Sequence, residues 1–264
     1  MEMIKKLRER TGAGIVDCKA ALEEAGGDLE QAVEILRKKG IAKAAKRGDR
    51  ETNQGLVMVF ADNNKGYIFE MNAETDFVVR NDQFQSLAKE IKEAILVNSP
   101  TDKEALLGMT LGDSTVSERL ELLSGVIGEK ITLGNYQMIS TEGTIGVYAH
   151  PQGNIGALVA LNQAGQEALA QDIAMHVAAA APRYILPEEV ATEELDKEKE
   201  IYREQLLKEG KPEEMVEKIL GGKVNKYYEE ICLVKQEYIK EDKKKVEEIL
   251  NGISIEAFVR FALS

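Results

Sequence analysis

The sequence predicts an α+β protein: a small helical N-terminal domain, then a core of two related α+β halves with antiparallel sheets and an inserted helical hairpin. Three observations carry this. Apolar residues recur at helical spacing as far as Gly40. From Gly55 the period becomes strand-like. The run Gly66 to Asn72, GYIFEMN, returns in outline as Gly156 to Asn162, GALVALN, and each copy leads into a helix.

The elements follow in order. Met3, Ile4 and Leu7 mark a first helix, which Thr11-Gly12-Ala13-Gly14 breaks because two glycines in four residues favour a turn. Ile15, Val16, Cys18, Ala21, Leu22 and Ala25 continue at helical spacing. After Gly26-Gly27, Asp28 is placed to cap a third helix through Leu29, Ala32, Val33, Ile35 and Leu36. Residues 1–40 thus form the helical domain. Residues 41–54 read as a linker with some helical character, and the basic stretch around it, with Lys39, Lys43, Lys46 and Arg47, reads as solvated.

The first core half spans 55–140. Gly55 to Ala61 and Tyr67 to Asn72 flank an Asn-rich turn and make a β-hairpin. A helix through Phe84, Leu87, Ile91, Ile95 and Leu96 begins at Asp82, whose spacing to Gln85 resembles a capping box, and ends before Pro100. A helix over Glu118–Ile127 and a strand over Ile131–Ile139 complete this half. The second half spans 141–264. It opens with the strand Gly143–Tyr148, the turn His150-Pro151-Gln152-Gly153 and the strand Gly156–Asn162, followed by an alanine-rich helix over Glu167–Ala181. A charged stretch with apolar points at Leu195, Tyr202 and Leu206, then Met215, Ile219 and Leu220, breaks at Gly210-Lys211-Pro212. That is the pattern of an antiparallel helical hairpin inserted at about 190–228. A helix over Lys243–Leu250 and a strand over Ile255–Leu263 end the chain.

Composition narrows the function. The net charge of −12 sets the surface against nucleic-acid phosphates, so direct nucleic-acid binding is not expected. No apolar run is long enough for a bilayer, and Met1-Glu2-Met3 lacks the character of a secretory signal, so a cytoplasmic location and no membrane contact are expected. Cys18 and Cys232 form no CxxC pair, which speaks against structural zinc; Cys18 reads as a buried thiol. His176 lies in an apolar helical run and reads as a packed core residue, whereas His150 reads as an exposed turn histidine. No GxSxG, HExxH, Walker or dinucleotide motif occurs, and no Lys-Ser/Thr follows Gly14, so an enzyme with its own bond chemistry is the weaker reading.

The stretch with most unexplained chemistry is Glu70 to Phe84. Thr75, Asp76, Phe77, Val78 and Val79 place an acid, an aromatic and two β-branched residues at a strand-to-helix junction. Large apolar groups there are either tucked under a neighbour or offered to a partner. The matching junction of the second copy, Gln163-Ala164-Gly165, is ordinary.

Asn72 to Asn81, NAETDFVVRN, resembles the signature of the translation elongation factor Ts family. Leu7 to Gly14, with Asp17-Cys18-Lys19 and Ala21-Leu22, agrees with it. Ile173-Ala174-Met175-His176 and Gly210-Lys211-Pro212 extend the similarity over essentially the whole chain. The resemblance implies a ubiquitin-associated-like fold for the three N-terminal helices. It implies guanine-nucleotide exchange on elongation factor Tu, with no cofactor of its own, the Mg²⁺ and GDP belonging to the partner. Thr75, Asp76, Phe77, Val78, Val79 and Arg80 would dislocate that Mg²⁺, with Phe77 as an apolar wedge and Asp76 as a charge beside it. Arg8, Ile15, Val16 and His150 would contact the partner, although Val16 can also be read as core of the small domain. The hairpin implies a possible homodimer. Ala73 departs from the cysteine of many relatives, and the sequence stops at Ser264 without the C-terminal helical module that some relatives carry, so none is expected. The competing reading is a non-exchange adaptor that binds through the helical N-terminal domain.

Overall fold

The computed structural model describes residues 1–45 and 47–263. Helices α1 (Glu2–Thr11), α2 (Ile15–Glu24) and α3 (Leu29–Ala45) make the N-terminal domain. Leu7, Cys18, Ala21, Ala32 and Leu36 are buried between them. Gly12 ends α1 in the left-handed conformation, φ 68°, which a β-carbon would strain. Asp28 caps α3 by accepting the Gln31 N–H at 2.9 Å.

The first core half holds β1 (Gln54–Asp62), β2 (Lys65–Ala73), α4 (Asp76–Val79), α5 (Asp82–Asn98), α6 (Lys103–Gly108), β3 (Thr110–Leu111), β4 (Ser114–Thr115), α7 (Val116–Ile127) and β5 (Ile131–Ser140). Its main sheet is antiparallel in the order β1-β2-β5. Tyr67, Phe69 and Met71 share a cluster with Phe84, Ile91, Ile95 and Leu120, so one sheet face is sealed by helices. The second half holds β6 (Thr144–Ala149), β7 (Ile155–Leu161), α8 (Glu167–Ala180), α9 (Thr192–Lys208), α10 (Glu213–Ile231), α11 (Val246–Leu250) and β8 (Ile255–Ala262), with a sheet in the order β6-β7-β8. Helix α8 covers one face of that sheet through Ile173, Ala174 and Val177.

The remaining faces of the two sheets pack on each other. Ile68 and Leu158 are buried with Val57, Ile139, Ala160 and Val259. A methyl group on Gly66 would lie 3.0 Å from the Leu158 side chain, and one on Gly156 would lie 2.8 Å from Val57 and 3.3 Å from Ile68. The sequence echo therefore has a packing reason. Each glycine makes room for the branched residue two positions beyond the other copy's glycine.

Several expectations needed correction. The helix expected from Glu118 starts at Val116, because Thr115 and Glu118 form a capping box in which Glu118 is the third helical residue. Helix α5 is capped by Asn81, which accepts the Gln83 N–H at 2.8 Å; Gln85 donates instead to the Val79 carbonyl at 2.7 Å. The last helix is only Val246–Leu250, since Lys243 is left-handed at φ 67° and the Tyr238 N–H bonds back to the Lys244 carbonyl. Helix α3 does not end at Gly40 but runs to Ala45 across α7. The crossing is close: a methyl group on Gly125 would lie 2.6 Å from the Gly40 α-carbon. The basic stretch is exposed at Lys38, Lys39 and Arg50, as expected, and polar contacts also hold it to the rest of the chain. Lys39 pairs with Glu24 at 2.5 Å, Arg47 donates to the Ser124 carbonyl at 3.4 Å, and Arg50 pairs with Glu74 at 3.0 Å. Lys46 and the side chain of Lys43 lie outside the described residues.

The hairpin α9–α10 turns at Gly210, φ 75°, before Pro212. Its root is bound to the core by Glu194, which accepts the Tyr184 and Tyr227 hydroxyls at 2.6 and 2.5 Å and pairs with Arg183 at 2.8 Å. His176 is fully buried, as its apolar run suggested. Its Nδ1 accepts the Ile239 N–H at 3.4 Å, so Nε2 carries the proton shared with Gln236 Oε1 at 3.0 Å.

Two predictions arise from this packing. Gly156→Val forces the sheets apart and is expected to lower unfolding free energy by about 1–3 kcal/mol in urea titration, as overpacked cores do. Burial lowers the His176 pKa, more than the Gln236 hydrogen bond opposes it. The folded state therefore favours the neutral ring. That contribution is complete above the unfolded value of about 6.5 and is lost as pH falls below it toward the folded value. The urea midpoint is expected to drop between pH 7.5 and 5.5, and His176→Gln is expected to flatten that slope.

Candidate functional site

Helix α4 is a single turn at the exit of β2. Four residues cannot hold a helix in water unaided, so the turn depends on what ties it down. Thr75 precedes it in extended conformation and makes no cap of its own. Its N–H and hydroxyl both reach the Glu129 carboxylate, at 3.0 and 2.9 Å. Val78, only 6% exposed, buries into the first-half core, and Val79 packs partly against it. Gln85 and the Asn81 cap fasten the far end. Phe77 is left 80% exposed. Beside it Asp76 pairs with Arg80 at 2.9 Å across one turn.

The neighbouring residues explain why the turn holds its place. Glu74 accepts the Lys130 N–H at 2.6 Å and pairs with Arg50. Burial raises the Glu74 carboxyl, but the Lys130 N–H and the Arg50 guanidinium together outweigh it and hold the group below the usual carboxylate range.

The N-terminal domain brings a second exposed apolar pair. Ile15 and Val16 open α2 at 57% and 81% exposure, so Val16 is not core of the small domain. The turn preceding them lies against α5: a methyl group on Gly12 would collide with the Gln83 amide, one residue into that helix. Arg8 is exposed on α1 and lines a cleft of about 340 Å³ that also touches Gln83 and Leu87. His150 stands on a different element. It is half-buried in the β6–β7 turn rather than exposed, and its Nδ1 accepts the Gln152 N–H at 3.3 Å. That turn seats on the edge of β1, where the Gly153 carbonyl takes the Val57 N–H at 2.7 Å.

The Elongation factor TS family model matches residues 74–264, a span that opens at Glu74 and takes in the whole exposed turn. The chain belongs to the elongation factor Ts family. Elongation factor Ts of Chlorobaculum tepidum is 45% identical over 278 aligned positions, which cover 98% of this chain and 96% of that protein. Within this elongation factor Ts chain, sequence reasoning missed Glu74, Glu129, Lys130 and Arg50. Glu129 lies 54 residues from Thr75, and no spacing in the sequence links them.

The geometry separates the roles of adjacent residues. Phe77→Ala removes an exposed ring and is expected to change unfolding free energy by no more than about 0.5 kcal/mol. Val78→Ala empties part of the core and is expected to cost about 1–3 kcal/mol. Chemical denaturation of the two variants checks the difference.

Proposed function

We infer that this elongation factor Ts chain is a guanine-nucleotide exchange factor of translation elongation, and that its Phe77 turn loosens the Mg²⁺ and GDP bound to elongation factor Tu. Family membership makes elongation factor Tu the partner. The observation that carries the finer reading is the 80% exposed Phe77 ring on a turn fastened at both ends.

Exchange of this kind is a linkage effect. A factor that binds the nucleotide-free partner best must weaken the nucleotide by the same coupling free energy. Each tenfold loss of nucleotide affinity requires about 1.4 kcal/mol of differential binding. A rigid ring entering a packed interior displaces what is there, because such interiors do not absorb an aromatic group. Mg²⁺ demands near-ideal octahedral ligands, so a small displacement of its surroundings releases it. Asp76 and Arg80 flank the ring and are free to exchange their mutual pair for partner groups. Thr75 and Val78 serve from behind: one is engaged by Glu129, the other anchors the turn. Val79 contributes its half-buried side chain to the same footing.

Arg8, Ile15 and Val16 offer the second contact, with the two aliphatic residues supplying apolar area and the guanidinium a planar donor fork. His150 belongs to the contact expected of the second core half. The protein needs no cofactor in this reading. Ile201, Leu207 and Met215, exposed on the hairpin, support its use in self-association. Among the described residues no helix is long and apolar enough to cross a membrane.

Release of fluorescent GDP from elongation factor Tu tests the proposal. Phe77→Ala is expected to slow stimulated release by about tenfold or more, equivalent to about 1.4 kcal/mol, while the two proteins still bind. Unchanged release with binding retained overturns the wedge. Val16→Glu separates the adaptor reading. An adaptor loses all binding, whereas an exchange factor still stimulates release at higher concentration through its core.

A further inference from the structure

We propose that Glu129 is a positioning residue for nucleotide exchange, fixing the angle at which the Phe77 turn leaves the core. This rests on the exchange reading above. Strands β2 and β5 end their ladder with Ala73 opposite Ile131. Continued in register, the next pairs would be Glu74 with Lys130 and Thr75 with Glu129. The backbones no longer pair there, and N–H groups left without a ladder partner need another acceptor. Carboxylates take over. The Glu74 side chain accepts the Lys130 N–H, and the Glu129 side chain accepts the Thr75 N–H. The arrangement is reciprocal across the two strand extensions, and both bonds are charge-assisted.

Glu129 does more than extend the ladder. Its carboxylate also takes the Thr75 hydroxyl, which in most helices would cap the first turn. Two bonds to one residue set both its position and its rotation, and Phe77 follows two residues later. Glu129 is itself held. Gly128, φ 92°, ends α7 just before it, and the Glu129 carbonyl accepts the hydroxyl of buried Ser124 at 2.6 Å. One residue beyond Ser124, Gly125 meets Gly40 of α3. The exposed turn and the N-terminal domain thus share one support.

The test uses the full chain with elongation factor Tu. Glu129→Ala, and Glu129→Gln as the milder change, are expected to lower the maximal rate of stimulated GDP release, by about tenfold for Ala, as misplacement of an acting group does. The concentration giving half-maximal rate and the urea midpoint are expected to stay close to wild type. Thr75→Val, which keeps the N–H bond to Glu129, is expected to show a smaller loss than Glu129→Ala, the double variant to be no worse than Glu129→Ala alone, and Thr75→Ser to keep the wild-type rate. In a Phe77→Ala background Glu129→Ala is expected to have no further effect. Full release by Glu129→Ala and Glu129→Gln while Phe77→Ala is slow overturns the positioning role and leaves the exchange reading standing. Wild-type release by all of them, Phe77→Ala included, overturns the reading of Phe77 itself. A loss that only tracks the fraction of folded protein makes Glu129 a stability residue and also overturns the proposal.

Discussion

Two three-stranded sheets meet through a reciprocal contact in which Gly66 yields to Leu158 and Gly156 yields to Ile68. All else in the core is referred to that contact. Each sheet has its outer face sealed by its own helices, so the inner faces have only each other to exclude water. Both glycines open the middle strands of their sheets, where a side chain would hold the layers apart. Once the layers are locked, the ends of β2 and β7 are fixed points. What the chain does on leaving them decides what each half can do.

The two exits differ in the bonds that receive them. After β7, Asn162 accepts the Ser254 N–H at 3.0 Å, and Thr144 both donates to the Gln163 carbonyl and accepts the Gln166 N–H. The chain is bound close to its own sheet and passes into α8. Near the end of β2, the side-chain oxygen of Asn72 is buried and finds no partner among the described residues. The exit is caught later and farther out, by Glu74, Glu129 and the buried Val78. The same scaffold therefore ends once in an ordinary loop and once in a projecting turn. The divergence lies in a few polar side chains and not in the sheets.

Much of this was legible in the sequence, and the limits are physical. The change from helical to strand period at Gly55, the Asn-rich hairpin and the doubled Gly-to-Asn run are local patterns, and the structure places elements where they stand. His176 in its apolar run was also legible, as was the break at Gly210. The stretch after Gly40 was not. Glycine reads as a helix end by propensity, whereas here it thins α3 for a close crossing over another glycine, Gly125, which lies far away in sequence. Val16 sits at core spacing, yet it opens α2 on the solvent side, and the packing of α1 and α3 determines which face is covered. The exposed turn was visible as an oddity of composition. Its brace was not, since pairing Thr75 with Glu129 requires the register of β2 on β5.

A projecting aromatic residue transmits force to another protein only if its own base does not yield first. An isolated turn of four residues would simply fold away, since each residue it must order costs about 1–2 kcal/mol of backbone entropy. Here that ordering is completed before any partner arrives: Thr75 is held from one side, Val79 from the other, and Val78 from below. Preorganisation of this kind leaves more of the binding free energy to act on the partner. It also accounts for the exposure of Phe77. An unpartnered ring in water is disfavoured but is not relieved by the turn's collapsing, because collapse would break the bonds to Glu129 and uproot Val78. On the exchange reading proposed above, the side with fewer constraints gives way when the two surfaces meet, and the bonds behind Phe77 favour displacement on the partner's side.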